Sequence, residues 1–518
     1  MPTGSSLAMR RVALAVLVAA ALFPQAASDA KSEAVRSANF TVTSSIDGVR
    51  LEARYYRPVA RGTYPVVLIP HGGGGNVDSD APRAQRYASE GFVGVVWSAR
   101  GHGNSGGFFD FFGPLTVQDT RDVVSWIIDH RREAGADRRH IGMTGYSQGG
   151  GTTNMAAAFD HRITAIGPGQ TFSGLQESLE PNGCVKASID AAIFALAYQK
   201  SGSRTDAQLA ARWSAYLGAG VGADQTLHDW SVRSPRMYVR NITQPSLWVQ
   251  AFDDPLFPID QAVLMHHLEA NPANRLWLSW GGHFTNGSSP EESAARETEW
   301  HRWMQHWLHG RSNGADRAAR VTWWYRAADG KTLVRRTSPT WPPPGTASRR
   351  VALSNGSVEQ ASGAQGIRDD AFVGYAAGLA RVGSVLPMLP NHSPADTLST
   401  TTPPLRAPVI YAGAATARIR WTSTAPESQV NVKVWDVAPN GSVTLLGRAC
   451  QKVVAAVGQG ADVRLELSHD AVEIPAGHHF EVWVQPADAP SFKPPQVPGV
   501  GTVLPGSVAE LPLLATRR

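Results

Sequence analysis

Gly145-Tyr146-Ser147-Gln148-Gly149 decides how this chain is read. The apolar run 140–144 leads into it and residues 150–159 lead out of it, a pattern that predicts strand, tight turn and helix. A serine on such a turn sits on strained backbone, and side chains two positions to either side would strike neighbouring main chain. Glycines at 145 and 149 remove them, so the Ser147 hydroxyl can stand clear at a sheet edge. The next amide, on Gln148, opens the helix and can donate to an anion.

A serine hydroxyl alone is a poor nucleophile. It needs a base, and the base needs a carboxylate to orient it. With this turn the acid and then the histidine follow the serine in the chain. Residues 244–252 read as a strand ending at Asp253-Asp254-Pro255-Leu256-Phe257-Pro258. Asp254 is the preferred acid because a D-x-x-x-P turn starts there, and Asp253 is the alternative. Residues 275–280 read as the next strand and run into Gly281-Gly282-His283, whose glycines let a loop bring the imidazole over the edge. His266 and His267 fall in an expected helix. His301, His306 and His309 fall in a Trp-rich helical segment, and all five read as packing or surface histidines.

Upstream, His71-Gly72-Gly73-Gly74-Gly75 follows an expected strand at 64–70. Glycines there let backbone amides approach a tetrahedral oxyanion. Gly73 or Gly74 is expected to give one donor and Gln148 the other. A phosphate loop is excluded because no Gly-Lys-Ser/Thr follows. Gly101-x-Gly103-x-x-Gly106 matches a dinucleotide fingerprint, but it opens no helix on which a pyrophosphate could rest. The chemistry therefore calls for no cofactor and no metal.

Working outward, residues 31–310 read as one domain, in which 40–310 alternate short apolar runs (64–70, 91–97, 140–144, 244–252, 275–280) with helical stretches such as 121–132. That alternation predicts an α/β domain with a mostly parallel sheet. Between 171 and 241 the pattern changes to helical pieces with Gly-rich breaks, read as a cap inserted over the sheet's C-terminal edge. Residues 311–320 read as a polar linker. Beyond them, 417–423, 429–435 and 479–485 alternate with period two, and Pro and Gly clusters punctuate the runs. Residues 321–518 are therefore expected to form an antiparallel β-sandwich or jelly roll. No internal repeat is visible.

The 518 residues are 42% hydrophobic and 18% charged, enough for large cores, and the net charge of +5 shows no basic stripe for a nucleic acid. Two cysteines, Cys184 and Cys450, exclude a disulfide scaffold and a Cys-built zinc site, and their pairing is left open. Arg10 and Arg11 precede an apolar run at 12–23, and the small residues Ala26, Ala27, Ser28 and Ala30 follow. Residues 1–30 thus read as a signal peptide, with an uncleaved anchor as the alternative. The expectation is an exported protein with no membrane span after cleavage, acting on a small-molecule or peptide substrate, of undetermined oligomeric state.

Ser98-Ala99-Arg100-Gly101-His102-Gly103-Asn104-Ser105-Gly106 is similar to the RG-x-G-x-S-x-G stretch of the cocaine-esterase-like and X-prolyl dipeptidyl-peptidase-like (S15) serine hydrolases. The runs 434–441 and 474–478 look like that family's jelly-roll domain. The resemblance covers nearly the whole chain after the signal. It implies an α/β-hydrolase sheet with a short helical cap, a C-terminal jelly roll, and a Ser/Asp/His triad on Ser147, Asp254 and His283. Where several members carry a Tyr hydroxyl in the oxyanion hole, this chain has His71 and four glycines, so a backbone donor is expected. X-Pro dipeptidyl-peptidase activity is the alternative to a general ester or amide hydrolase. It would need a carboxylate placed for the substrate amine, for which Glu177, Glu180 and Asp110 are candidates. The alternative from another class is a glycan-binding protein using Trp421, Trp435 and Trp483.

Overall fold

The structure, a computed structural model, describes residues 34–186, 204–254, 256–283, 289–360, 396–488 and 491–516. The segment read as a signal peptide lies outside the described residues, as does part of the cap. Nine strands build the N-terminal part of a sixteen-stranded sheet: β1 (Val35–Thr43), β2 (Arg50–Pro58), β3 (Tyr64–Leu68), β4 (Val93–Trp97), β5 (Ala136–Tyr146), β6 (Ile163–Gly169), β7 (Leu247–Ala251), β8 (Arg275–Ser279) and β9 (Val321–Arg326). Their order is β1-β2-β4-β3-β5-β6-β7-β8-β9. β1 and β2 are antiparallel to their neighbours, and every pairing from β4 to β9 is parallel. Every residue of β4, β7 and β8 is buried, which is why these strands read as mostly apolar runs rather than as alternation. Parallel neighbours need crossovers, and the helices Ala81–Ser89, Pro114–Asp129, Gln148–Phe159, Asp260–Leu268 and Pro290–His309 supply them.

The last of these helices starts where Ser289 accepts a hydrogen bond from the Glu292 amide, and it ends at Gly310 with φ 68°. Its Trp300 and Trp303 are buried in the first core. The following strand, β9, pairs parallel with β8 and so extends the first sheet past the polar stretch 311–320.

The cap contributes the helices Leu175–Leu179, Ala207–Ala219 and Ala223–Ser231 and a 3₁₀ segment, Pro235–Asn241. Its buried Leu209, Trp213 and Trp230 form a second apolar core with Phe109, Phe172 and Phe257 of the sheet's loops.

The C-terminal part is all β. Val409–Ser423 pairs antiparallel with Ala461–Ile474 on one side and with Val508–Ala515 on the other. A separate sheet runs Leu398–Thr401, His479–Gln485, Glu427–Val437, Val443–Val454 in that spatial order, all antiparallel. Ala417, Ile419 and Trp421 point inward while Arg418 and Arg420 face solvent, the alternation of a half-buried strand. Trp421, Trp435 and Trp483 are all buried, so none offers a face to a sugar.

Among the contacts that fasten the β-domain to the rest are a strand pairing and a disulfide. Val472 pairs with Arg326, joining strand Ala461–Ile474 to β9. Cys184, in the cap, is disulfide-bonded to Cys450 of strand Val443–Val454, with Cα atoms 6.1 Å apart. Beside it the Asn182 amide donates to the Cys450 carbonyl and the Gln451 amide donates to the Asn182 carbonyl, each at 3.1 Å.

Candidate active site

Ser147 follows β5 with φ 54° and ψ −120°, a conformation that costs a non-glycine residue about 1–3 kcal/mol. The flanking glycines are sterically required. A Cβ on Gly149 would lie 2.1 Å from the Pro70 carbonyl oxygen, and one on Gly145 would lie 2.6 Å from the Gly149 carbonyl carbon.

Asp254 stands just beyond β7 and His283 just beyond β8. The His283 Nδ1–H donates to Asp254 Oδ2 at 2.8 Å, which leaves Nε2 to accept from the Ser147 hydroxyl, also at 2.8 Å. Both partner side chains are buried. The other Asp254 oxygen accepts from the amides of Leu256 (2.9 Å) and Phe257 (3.0 Å), which holds the carboxylate in place. The Phe257 ring, 5.3 Å from the imidazole, carries the apolar core of the cap up to the site. Asp253, the alternative acid, faces the other way, toward Arg326 at 3.5 Å. Gln250, singled out by no motif, braces the loop. Its amide donates to the Phe257 carbonyl, and its oxygen accepts from the Thr171 amide.

The glycine loop lies against the turn. A Cβ on Gly72 would sit 3.9 Å from Ser147 Cβ, and one on Gly73 would sit 3.7 Å from Gln148 Oε1. Gly72 to Gly75 form a turn closed by the Gly75 amide on the Gly72 carbonyl (3.0 Å), with Gly74 at φ 71°. His71 fixes the plane of the peptide between Gly72 and Gly73. Its Nε2 accepts from the Ala99 amide (3.0 Å), so Nδ1 carries the proton and donates to the Gly72 carbonyl (2.7 Å). In a trans peptide the next N–H points away from that carbonyl, so the Gly73 amide is turned from His71. Gln148 is the first residue of its helix, so its amide has no acceptor within the helix.

Burial lowers the His71 pKa to about 4, and burial together with the nearby His71 charge lowers that of His102, 5.0 Å away ring to ring, to about 4. A histidine depressed in the fold takes up protons more readily once unfolded. His71 therefore favours the fold fully above pH 6.5, and this contribution is lost as pH falls to about 4. The difference amounts to roughly 3 kcal/mol. Urea midpoints of His71→Asn are expected to change less between pH 6.5 and 4 than those of the native chain. Parallel curves would show that this imidazole is not held neutral.

The three candidate amine-binding carboxylates are otherwise engaged. Asp110 accepts from the Leu115 amide (3.0 Å) and the Thr116 hydroxyl at the start of helix Pro114–Asp129. Glu177 is ion-paired with Arg236, and Glu180 accepts from the Tyr216 hydroxyl at 2.6 Å. The Gly101–Gly106 stretch is a closed loop, Gly101 donating to the Gly106 carbonyl at 2.9 Å. It is braced by Arg100, which forks onto Asp119 at 2.7 and 2.8 Å. Among the described residues no His/Cys/Asp/Glu group suits a metal ion, and no helix is long and apolar enough to cross a membrane.

A parallel sheet with the serine turn after its fifth strand, and with an acid and a histidine beyond its seventh and eighth, defines an α/β-hydrolase enzyme. The model of the X-Pro dipeptidyl-peptidase (S15) family matches residues 47–285, and that of the X-Pro dipeptidyl-peptidase C-terminal non-catalytic domain matches 313–515. The chain belongs to the S15 family of serine hydrolases. Among curated proteins no sequence matches it. Three solved structures share the two-part fold. An aminopeptidase from a marine-sediment Thaumarchaeota archaeon is 15% identical with TM-score 0.74, covering 95% of this chain and 98% of its own. An α-amino acid ester hydrolase is 16% identical with TM-score 0.72, covering 95% and 98%. A CocE/NonD family hydrolase from Staphylococcus aureus is 11% identical with TM-score 0.71, covering 93% of each. At these identities the likeness concerns the fold.

Proposed function

We propose that this chain cleaves an ester or amide through an acyl-enzyme on Ser147, with His283 as base and Asp254 as its orienting acid. The observation that carries this is the unbroken row of hydrogen bonds from Asp254 through His283 to Ser147, both links 2.8 Å. In this reading Nε2 takes the hydroxyl proton as Ser147 Oγ attacks the carbonyl carbon. Asp254 holds the Nδ1 tautomer and stabilises the imidazolium, which then gives its proton to the leaving group. The Gly73 and Gln148 amides receive the oxyanion, each lowering the barrier by ~3 kcal/mol. Gly73 is favoured over Gly74 because His71 turns its N–H away from the imidazole. Water, activated by His283, then releases the acid and frees Ser147.

A neutral acyl group suits this site better than an α-amino acyl group, since Asp110, Glu177 and Glu180 already have partners. Export is proposed with it, supported by the N-terminal charge and hydropathy pattern and by the disulfide, a bond at home in oxidising compartments. A panel of short p-nitrophenyl esters against Gly-Pro-p-nitroanilide tests the substrate reading. Ester turnover with a burst of p-nitrophenol and little anilide cleavage is expected. The reverse order would assign the X-Pro reaction instead.

A further inference from the structure

We propose that Arg326 is a positioning residue for the triad, tying the loop that bears Asp254 and the strand end that bears His283 to each other and to the β-domain. The inference rests on the serine-hydrolase reading above. Arg326 ends β9, beyond the stretch where a triad member would be sought. Its guanidinium lies 3.5 Å from the carboxylate of Asp253, the residue before Asp254. It also stacks 3.9 Å from the ring centroid of Trp280, three residues before His283. One rigid, planar cation thus touches the chain on both sides of the Asp254–His283 hydrogen bond.

The β-domain supplies the third side. Val472 pairs with Arg326 along the backbone, and the buried Asp470 carboxyl acts on both Arg326 and Asp253. Arg326 and Asp470 are the charged groups facing Asp253, while Asp253, Arg326 and the Tyr411 hydroxyl face Asp470. Burial raises the Asp253 pKa to about 6 against the pull of Arg326. Burial and the Asp253 charge push Asp470 well above the usual carboxylate range. Two buried carboxyls against one guanidinium balance when one holds a proton. Of the two, Asp253 is the carboxylate that pairs with Arg326, at 3.5 Å, because Asp470 is pushed further toward its neutral form. As pH falls through about 6, Asp253 takes a proton and the tie on the Asp254 loop loosens.

Arg326→Met removes the charge and the planar stack, whereas Arg326→Lys keeps the charge alone. The expected result is a fall in kcat on the order of 10²-fold for Arg326→Met, with KM little changed and partial recovery in Arg326→Lys. In Asp253→Asn the acid limb of the kcat profile should lose one proton. If Arg326→Met does not fold, as judged by circular dichroism, Asp253→Asn carries the same test, with lower kcat and unchanged KM expected. A folded Arg326→Met, or failing that a folded Asp253→Asn, with native kcat and a native pH profile overturns the proposal. Failure of the underlying hydrolase reading looks different: the native chain itself neither turns over esters nor reacts with a fluorophosphonate at Ser147.

Discussion

Ser147→Ala is expected to lower kcat/KM for an ester substrate on the order of 10⁵-fold and to abolish fluorophosphonate labelling. The loss is that large because the triad acts as a unit. Without Oγ, His283 Nε2 has no hydroxyl proton to accept and no nucleophile to activate, and only the amides of the glycine loop and of Gln148 remain to favour the reaction. Stability should move the other way. Ser147 holds a left-handed φ of 54° that alanine also finds strained and glycine does not. Ser147→Gly should therefore be as inactive as Ser147→Ala yet more stable than the native chain by about 1 kcal/mol. Ester turnover, probe labelling and thermal midpoints on the three proteins check both halves. Retained labelling of the alanine variant would remove Ser147 from the chemistry.

Reducing the Cys184–Cys450 bond, or replacing both cysteines by serine, is expected to cost up to about 5 kcal/mol. The two residues are 266 apart, so the bond removes a very large loop from the unfolded ensemble. That value is the upper end of the chain-entropy argument. The effect should concentrate where the bond sits. It fastens the cap to strand Val443–Val454, and nearby Lys493 adds a 2.6 Å hydrogen bond to the Gly218 carbonyl. Thermal unfolding with and without dithiothreitol, with the double serine variant as control, measures it. Equal midpoints in all three samples would show that packing alone seats the cap.

Much of the site was readable because its residues must satisfy local rules. The glycines at 145 and 149 are dictated by backbone only 2–3 Å away, and a motif records such clashes directly. The strand ends at Asp254 and Gly281-Gly282-His283 were visible because mostly apolar runs precede them, as strands buried on both faces require. Asp253 and Asp254 were harder to separate. Adjacent residues in a turn point to different sides, and only the fold shows which side holds the imidazole. Gln250, His71 as the lock on the glycine loop, and Arg326 carry no motif, because each acts through partners distant in the chain. β9 was not singled out in the sequence, and its parallel pairing with β8 shows only in the fold, because a strand's own residues do not name its partner.

The amino-acid sequence by itself determined the α/β fold of the first part, the all-β fold of the second, and the strand, turn and helix around Ser147. Short-range sterics and burial impose those features on neighbouring residues. Only the tertiary structure decided which aspartate meets His283, that Cys184 and Cys450 are bonded, and that Arg326 at the end of β9 reaches both Asp253 and Trp280. These are contacts between residues tens to hundreds of positions apart, and their partners are chosen by the packing of whole sheets, which no local pattern encodes.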